Sequence, residues 1–205
     1  MTNNLKTIYL TSPAGSGNTF LQSFINENAY VNVYTKSHNA DDILENEDHI
    51  CILRSPDNCI SSAVERHDIS IAYKYIPDEQ KINISNLDAV KKLIDEYCYS
   101  HFMFLNKIKD KNVYFVLFKD VVDNPKLVFE KIVSKFNLNI NKDLPNSMEN
   151  DFIFEGIKIS GLEARSPKEK SDNRKFIDAL VKENFLYPEI EKLYTEILKS
   201  TKIEL

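Results

Sequence analysis

Ile8-Tyr9-Leu10-Thr11-Ser12-Pro13-Ala14-Gly15-Ser16-Gly17-Asn18-Thr19-Phe20-Leu21 is an apolar run that breaks into small residues and then resumes as Phe20-Leu21-Gln22-Ser23-Phe24-Ile25. This order predicts a strand, a tight turn and the start of a helix. Two of the chain's four glycines fall in the turn, where the backbone can take positive φ and approach a ligand closely. Ser16, Asn18 and Thr19 add side-chain donors. The free N–H groups that open a helix, with the positive end of its dipole, suit an anion, so the turn could hold a phosphate without metal. In the register G-x-x-x-x-G-K-[ST], however, Ser12 stands at the first Gly and Asn18 at the Lys that reaches the β- and γ-phosphates of ATP.

Outward from the turn, strands and helices alternate. Ala29 to Tyr34 has strand residues in alternation and delivers Thr35-Lys36-Ser37-His38. Ile50-Cys51-Ile52-Leu53 is a continuous apolar run suited to the interior of a parallel sheet, and it ends in Arg54-Ser55-Pro56-Asp57. Pro56 at a first helical position predicts a helix through Arg66 that contains Ser61 and Ser62. Ile69 to Lys81 reads as an aromatic loop that could cover a pocket. Ser85 to Asp88 caps a long helix whose apolar positions run from Val90 to Ile108 at helical spacing. Val113 to Phe118 predicts a strand, and Asp123-Asn124-Pro125 starts an amphipathic helix through Phe136. Asp151 to Ile159 reads as a short strand, Arg165 to Arg174 as a polar, basic loop, and Asp172 to Asn184 and Pro188 to Lys199 as closing helices. The expected fold is α/β, a P-loop-like parallel sheet flanked by helices, with residues 1–205 forming a single domain.

With 205 residues, 42% of them hydrophobic, the chain can bury one sizeable core. A net charge of −5 and a pI near 5.5 argue against a nucleic-acid partner, which calls for a basic face. Cys51, Cys59 and Cys98 are odd in number and lack C-x-x-C spacing, which leaves buried free thiols rather than a disulfide framework or a zinc site. No charged-then-apolar leader and no run of 18 apolar residues is present, so the expectation is a soluble, cytoplasmic protein without a membrane partner.

Open α/β sheets bind ligands beyond the carboxyl ends of their strands, which would bring together the turn, Lys36 and His38, Arg54 with Ser62, and Lys119 with Asp120. At these residues the chain resembles the sulfotransferases that use 3′-phosphoadenosine 5′-phosphosulfate (PAPS). Ser12 to Phe20 is similar to that family's loop for the 5′-phosphosulfate, and Lys36-Ser37-His38 to its K-T-H element, which carries the catalytic histidine. Arg54 and Ser62, eight residues apart, are similar to its 3′-phosphate element, and Phe118-Lys119-Asp120-Val121 with Asp123-Asn124-Pro125 to its Y-E-D-L and D-P segment. The resemblance runs from Ile8 to about Leu138. It implies that Ala14, Gly15, Ser16, Gly17, Asn18 and Thr19 bind the 5′-phosphate, that Phe20 faces the adenine, and that Arg54 and Ser62 bind the 3′-phosphate. It further implies that Lys36 meets the bridging oxygen and that His38 is the base.

The chain also departs from that pattern. The family's loop carries a Lys or Arg where this chain has Gly15, which leaves Lys36 as the substitute cation. The R-K-G element that completes the 3′-phosphate pocket has no clear match; Arg165 is taken for it, with Lys168, Lys170 and Arg174 in the same region.

The chemistry suits the residues on its own terms. A sulfuryl group in transfer carries less charge than a phosphoryl group, so N–H donors and one or two cations can stabilise it without a metal. A neutral His is a fitting base for an acceptor hydroxyl; Glu65, His67 and His101 are the other candidates. The expected reaction is sulfuryl transfer from PAPS to a hydroxyl or amine on a small-molecule or glycan acceptor, with 3′-phosphoadenosine 5′-phosphate (PAP) as product. An ATP-dependent kinase with a degenerate loop, using Asp120 to help hold Mg²⁺, and a catalytically inactive nucleotide-binding module remain as alternatives. The acceptor and the oligomeric state are not legible.

Overall fold

The computed structural model describes residues 5–68, 87–140 and 172–201. The loop expected at 69–81, the strand expected at 151–159, and Arg165, Lys168 and Lys170 lie outside these residues.

Four parallel strands form one sheet in the order β2-β1-β3-β4: β1 Lys6–Thr11, β2 Val31–Ser37, β3 His49–Leu53 and β4 Tyr114–Leu117. Alternation sorts the side chains of β1 and β3. Ile8, Leu10, Ile50 and Ile52 face one layer, formed by α1 (Asn18–Asn28) and α5 (Pro125–Phe136), while Cys51 and Leu53 face the other. That second layer holds α2 (Pro56–Asp68), α3 (Leu87–Ile108), α6 (Asp172–Glu183) and α7 (Tyr187–Ser200). Ile8 and Leu10 are fully buried, each worth about 1.5 to 3 kcal/mol of apolar transfer.

Local chemistry sets the element ends. Pro56 starts α2 and Pro125 starts α5, each where a missing N–H has no consequence. α5 stops at Asn137, whose φ of 51° is left-handed and whose neighbour Leu138 returns its N–H to the Val133 carbonyl at 3.0 Å. A short helix not foreseen in the sequence, α4 (Phe118–Asp123), follows β4 directly and carries Lys119 and Asp120.

β1 lies between β2 and β3, and the chain changes its direction of winding there. In such sheets this switch point opens a crevice at the carboxyl ends of the two inner strands. The turn after β1 and Arg54 after β3 both belong to that edge.

Candidate functional site

The turn from Ser12 to Gly17 is fixed by the segment that follows β3. Gly15 and Gly17 adopt φ of 87° and 95°, a region costly for any residue with a Cβ. Space forbids a side chain as well: a Cβ on Gly15 would stand 2.3 Å from the Cys59 carbonyl oxygen, and one on Gly17 2.8 Å from the Phe118 ring. Arg54 Nη1 donates to the Gly15 carbonyl at 2.8 Å, and its guanidinium lies 4.3 Å from the centroid of the Phe118 ring. The Cys59 thiol donates to the Ala14 carbonyl at 3.1 Å and lies 3.2 Å from Ser16 Oγ. Ser12 Oγ accepts from the Ile52 N–H at 2.8 Å, pinning the start of the turn to β3.

Asn18, in the first turn of α1, is 5% exposed, and neither its Oδ1 nor its Nδ2 has a hydrogen-bond partner. Buried amides are rarely left so, and a polar ligand at the turn would satisfy them. The helix that Asn18 opens has no side-chain cap at Gly17.

His38 is exposed just past β2, and its Nδ1 lies 2.7 Å from the Ser12 carbonyl. A carbonyl only accepts, so Nδ1 carries the proton and, in the neutral ring, Nε2 keeps its lone pair. A small cleft is walled by Pro13 and Ala14 of the turn, by His38, and by Tyr97, His101 and Phe104 of α3. The third histidine considered as a base therefore shares a wall with the first. His101 is 5% exposed, and burial pushes it down to about 4.

Lys36 has partners of its own at the end of β2. The pairing of β1 with β2 slips by one residue, Leu10 opposite Thr35 but Thr11 opposite Ser37, so Lys36 falls in the irregularity and the strict alternation that would align it with His38 is broken. Its ammonium is bound by Glu47 and lies 4.7 Å from the centroid of the Tyr9 ring. Glu47 also contacts His49 Nε2 at 3.0 Å, and His49 Nδ1 meets Thr11 Oγ1 at 3.2 Å. These donors hold the Glu47 carboxyl below its ordinary range, Lys36 contributing most.

Ser62 is buried in α2. Glu65, one turn further on, is not at the cleft wall but forms an ion pair with Arg174 at 3.3 Å. Arg174 lies inside α6 rather than in a basic loop; it is 6% exposed, with Asp178 at 3.2 Å and the Asn58 carbonyl as further partners. It ties α6 to α2. The side chains of Thr19, Phe20 and His67 lie outside the described ones.

Cys59 and Phe118 are the functional neighbours that the sequence did not announce. Cys59 read as an unpatterned thiol and Phe118 as the end of a strand, and only their approach to the turn gives them a role. All three cysteines are buried and unpaired as disulfides. Among the described residues no three His, Cys, Asp or Glu side chains group as a metal site would, and no helix is long and apolar enough to cross a membrane.

No family model and no curated protein matches the sequence. Among solved structures, the chain is similar to that described as the crystal structure of mouse sulfotransferase SULT7A1 complexed with PAP, at a TM-score of 0.49 and 14% sequence identity, over 98% of this chain and 86% of that one.

Proposed function

We propose that the protein is a sulfotransferase that moves a sulfuryl group from PAPS to a hydroxyl or amine acceptor. The observation that supports this best is the contact of His38 Nδ1 with the Ser12 carbonyl, which leaves the Nε2 lone pair to serve as the base in this reading. The unpartnered Asn18 amide and the two left-handed glycines fit a phosphosulfate at that turn.

In this reading the turn from Ala14 to Thr19 holds the 5′-phosphate and Phe20 the adenine. Arg54 and Ser62, with Arg165, hold the 3′-phosphate. When bound, PAPS supplies a sulfuryl group activated by a phosphate leaving group. His38 Nε2 takes the acceptor's proton as the acceptor oxygen bonds to sulfur, the sulfur–oxygen bond to phosphate breaks, and PAP is left. Lys36 serves the bridging oxygen only by exchanging Glu47 for it. Apart from Ser16, whose N–H donates to the Pro13 carbonyl at 3.2 Å, the backbone N–H groups of the turn need no such exchange, and fixed donors of this kind are the efficient ones.

A second reading, a module that binds the nucleotide and transfers nothing, is favoured by one observation: Gly15 has no room for the cation that the resembling loops carry. The test takes both readings in turn. Saturating PAP without metal is expected to raise the melting temperature by about 5 to 10 °C, and ATP with magnesium is not. Transfer from labelled PAPS across a panel of hydroxyl and amine acceptors then separates enzyme from module, with His38→Ala expected to lose about 10²- to 10⁴-fold in rate while keeping PAP affinity. A larger shift with ATP and magnesium than with PAP would overturn the proposal in favour of a kinase.

A further inference from the structure

Two imidazoles line one cleft, and their surroundings differ. His38 is exposed and anchored through Nδ1, whereas His101 is 5% exposed and its Nε2 has no hydrogen-bond partner. His101 sits on the buried stripe of α3 between Cys98 and Phe104, where an apolar side chain would continue the core at no polar cost. An imidazole there carries the desolvation of an unanswered nitrogen, which folded proteins seldom leave unexplained. Its ring lines the same cleft as His38, Pro13 and Ala14, with the hydroxyl-bearing Tyr97 and Ser100 also in the lining. No Asp, Glu, Lys or Arg is among the described lining residues. Burial pushes His101 down to about 4, so its own ring is neutral at pH 7. Among the described lining residues a charged acceptor group would find no counter-charge to offset its desolvation.

We propose that His101 is the acceptor-selecting residue of the cleft: its Nε2 hydrogen-bonds a second polar group on an uncharged acceptor while His38 faces the hydroxyl that reacts. The inference rests on the transferase reading above, and it goes beyond it by defining the acceptor as a neutral molecule with two hydrogen-bonding functions. His101 contacts the part of the acceptor that does not react, so its loss alters which acceptors bind and leaves nucleotide affinity alone.

The probes are phenol, catechol, resorcinol and hydroquinone, each titrated calorimetrically into the full chain saturated with PAP. At least one dihydroxybenzene is expected to bind about tenfold more tightly than phenol, as one added hydrogen bond to a buried partner allows. His101→Phe should abolish that preference without changing PAP affinity, and His101→Gln, which keeps a polar group near the position of Nε2, should restore part of it. In the unaltered protein the preferred isomer should move the His101 ring ¹⁵N resonances and phenol should not, a readout that decides even if a variant fails to fold. A preference that survives in His101→Phe, unmoved ring resonances, or PAP binding with no preference among the rings overturns this inference alone. Failure of PAP to bind overturns the transferase reading and this inference with it.

Discussion

The carbonyl oxygen of Cys59 occupies the space that a Cβ on Gly15 would need, at 2.3 Å. The first part of α2 is thus packed directly against the turn after β1, and the glycine is the condition for that approach.

Restoring a basic side chain to this position should therefore harm the protein. Gly15→Lys places a Cβ at φ 87° and against backbone rather than a movable side chain. The left-handed conformation alone costs roughly 1 to 2 kcal/mol. The expected outcome is a lower melting temperature and lost PAP binding, read by thermal denaturation and calorimetry. A variant as stable as the parent that also turns over faster would show that the turn can be rebuilt around a cation.

Arg54 donates to the Gly15 carbonyl, so on the proposed reading its guanidinium would serve the 3′-phosphate as well as the turn. Arg54→Ala should weaken PAP by about 1.5 to 3 kcal/mol, the scale of a hydrogen bond to a charged group. Adenosine 5′-phosphate should lose less, and not zero, because the turn loses a tether. Equal losses for the two nucleotides, measured by calorimetry, would assign Arg54 to the turn alone.

Lys36 and Glu47 can be separated by two variants. As the cation of the reaction, Lys36 should cost about 10²-fold in single-turnover rate when replaced by Ala. Glu47→Gln, which loosens the ammonium from its carboxylate, should lower thermal stability and spare the rate. Parallel losses of rate and melting temperature in both would make the pair a structural one.

The buried histidines give stability a definite pH dependence. The folded value for His101, about 4, lies below its ordinary 6.5, so between these values the unfolded chain binds more protons. The stability that the neutral ring confers is present above about pH 6.5 and is lost as pH falls toward 4. His49 is displaced in the same direction, chiefly by burial. Urea unfolding at a series of pH values should show the loss, and His101→Phe should flatten it. An unchanged slope in that variant would place the effect elsewhere.

The strand, turn and helix from Ile8 onward, the apolar β3 and the proline starts of α2 and α5 were legible because each depends on residues close in sequence. What escaped depends on partners. The slip that displaces Lys36 is a property of how β2 pairs with β1, invisible in β2 alone. Arg174 read as part of a polar, basic loop because two of the partners that hold its buried guanidinium beside Asp178, Glu65 and the Asn58 carbonyl, lie more than a hundred residues away. His101 was placed on the core face of its helix by periodicity, and it is buried there, but spacing could not say that the core face at that turn borders a cleft. The assignments of Arg54, Ser62 and His38 stand on motif resemblance, and the geometry adds partners for Arg54 and His38.

Helix α1 starts at a glycine that offers no side-chain cap, and its first turn carries no acidic residue. A side-chain cap there would add about a few tenths of a kcal/mol over glycine. On the proposed reading an oxyanion takes that place, so the resistance of the protein to heat should depend on its buffer. A tetrahedral oxyanion such as sulfate or inorganic phosphate should protect it at millimolar concentration where chloride at equal ionic strength does not, and preparations dialysed free of such anions should be the quickest to unfold.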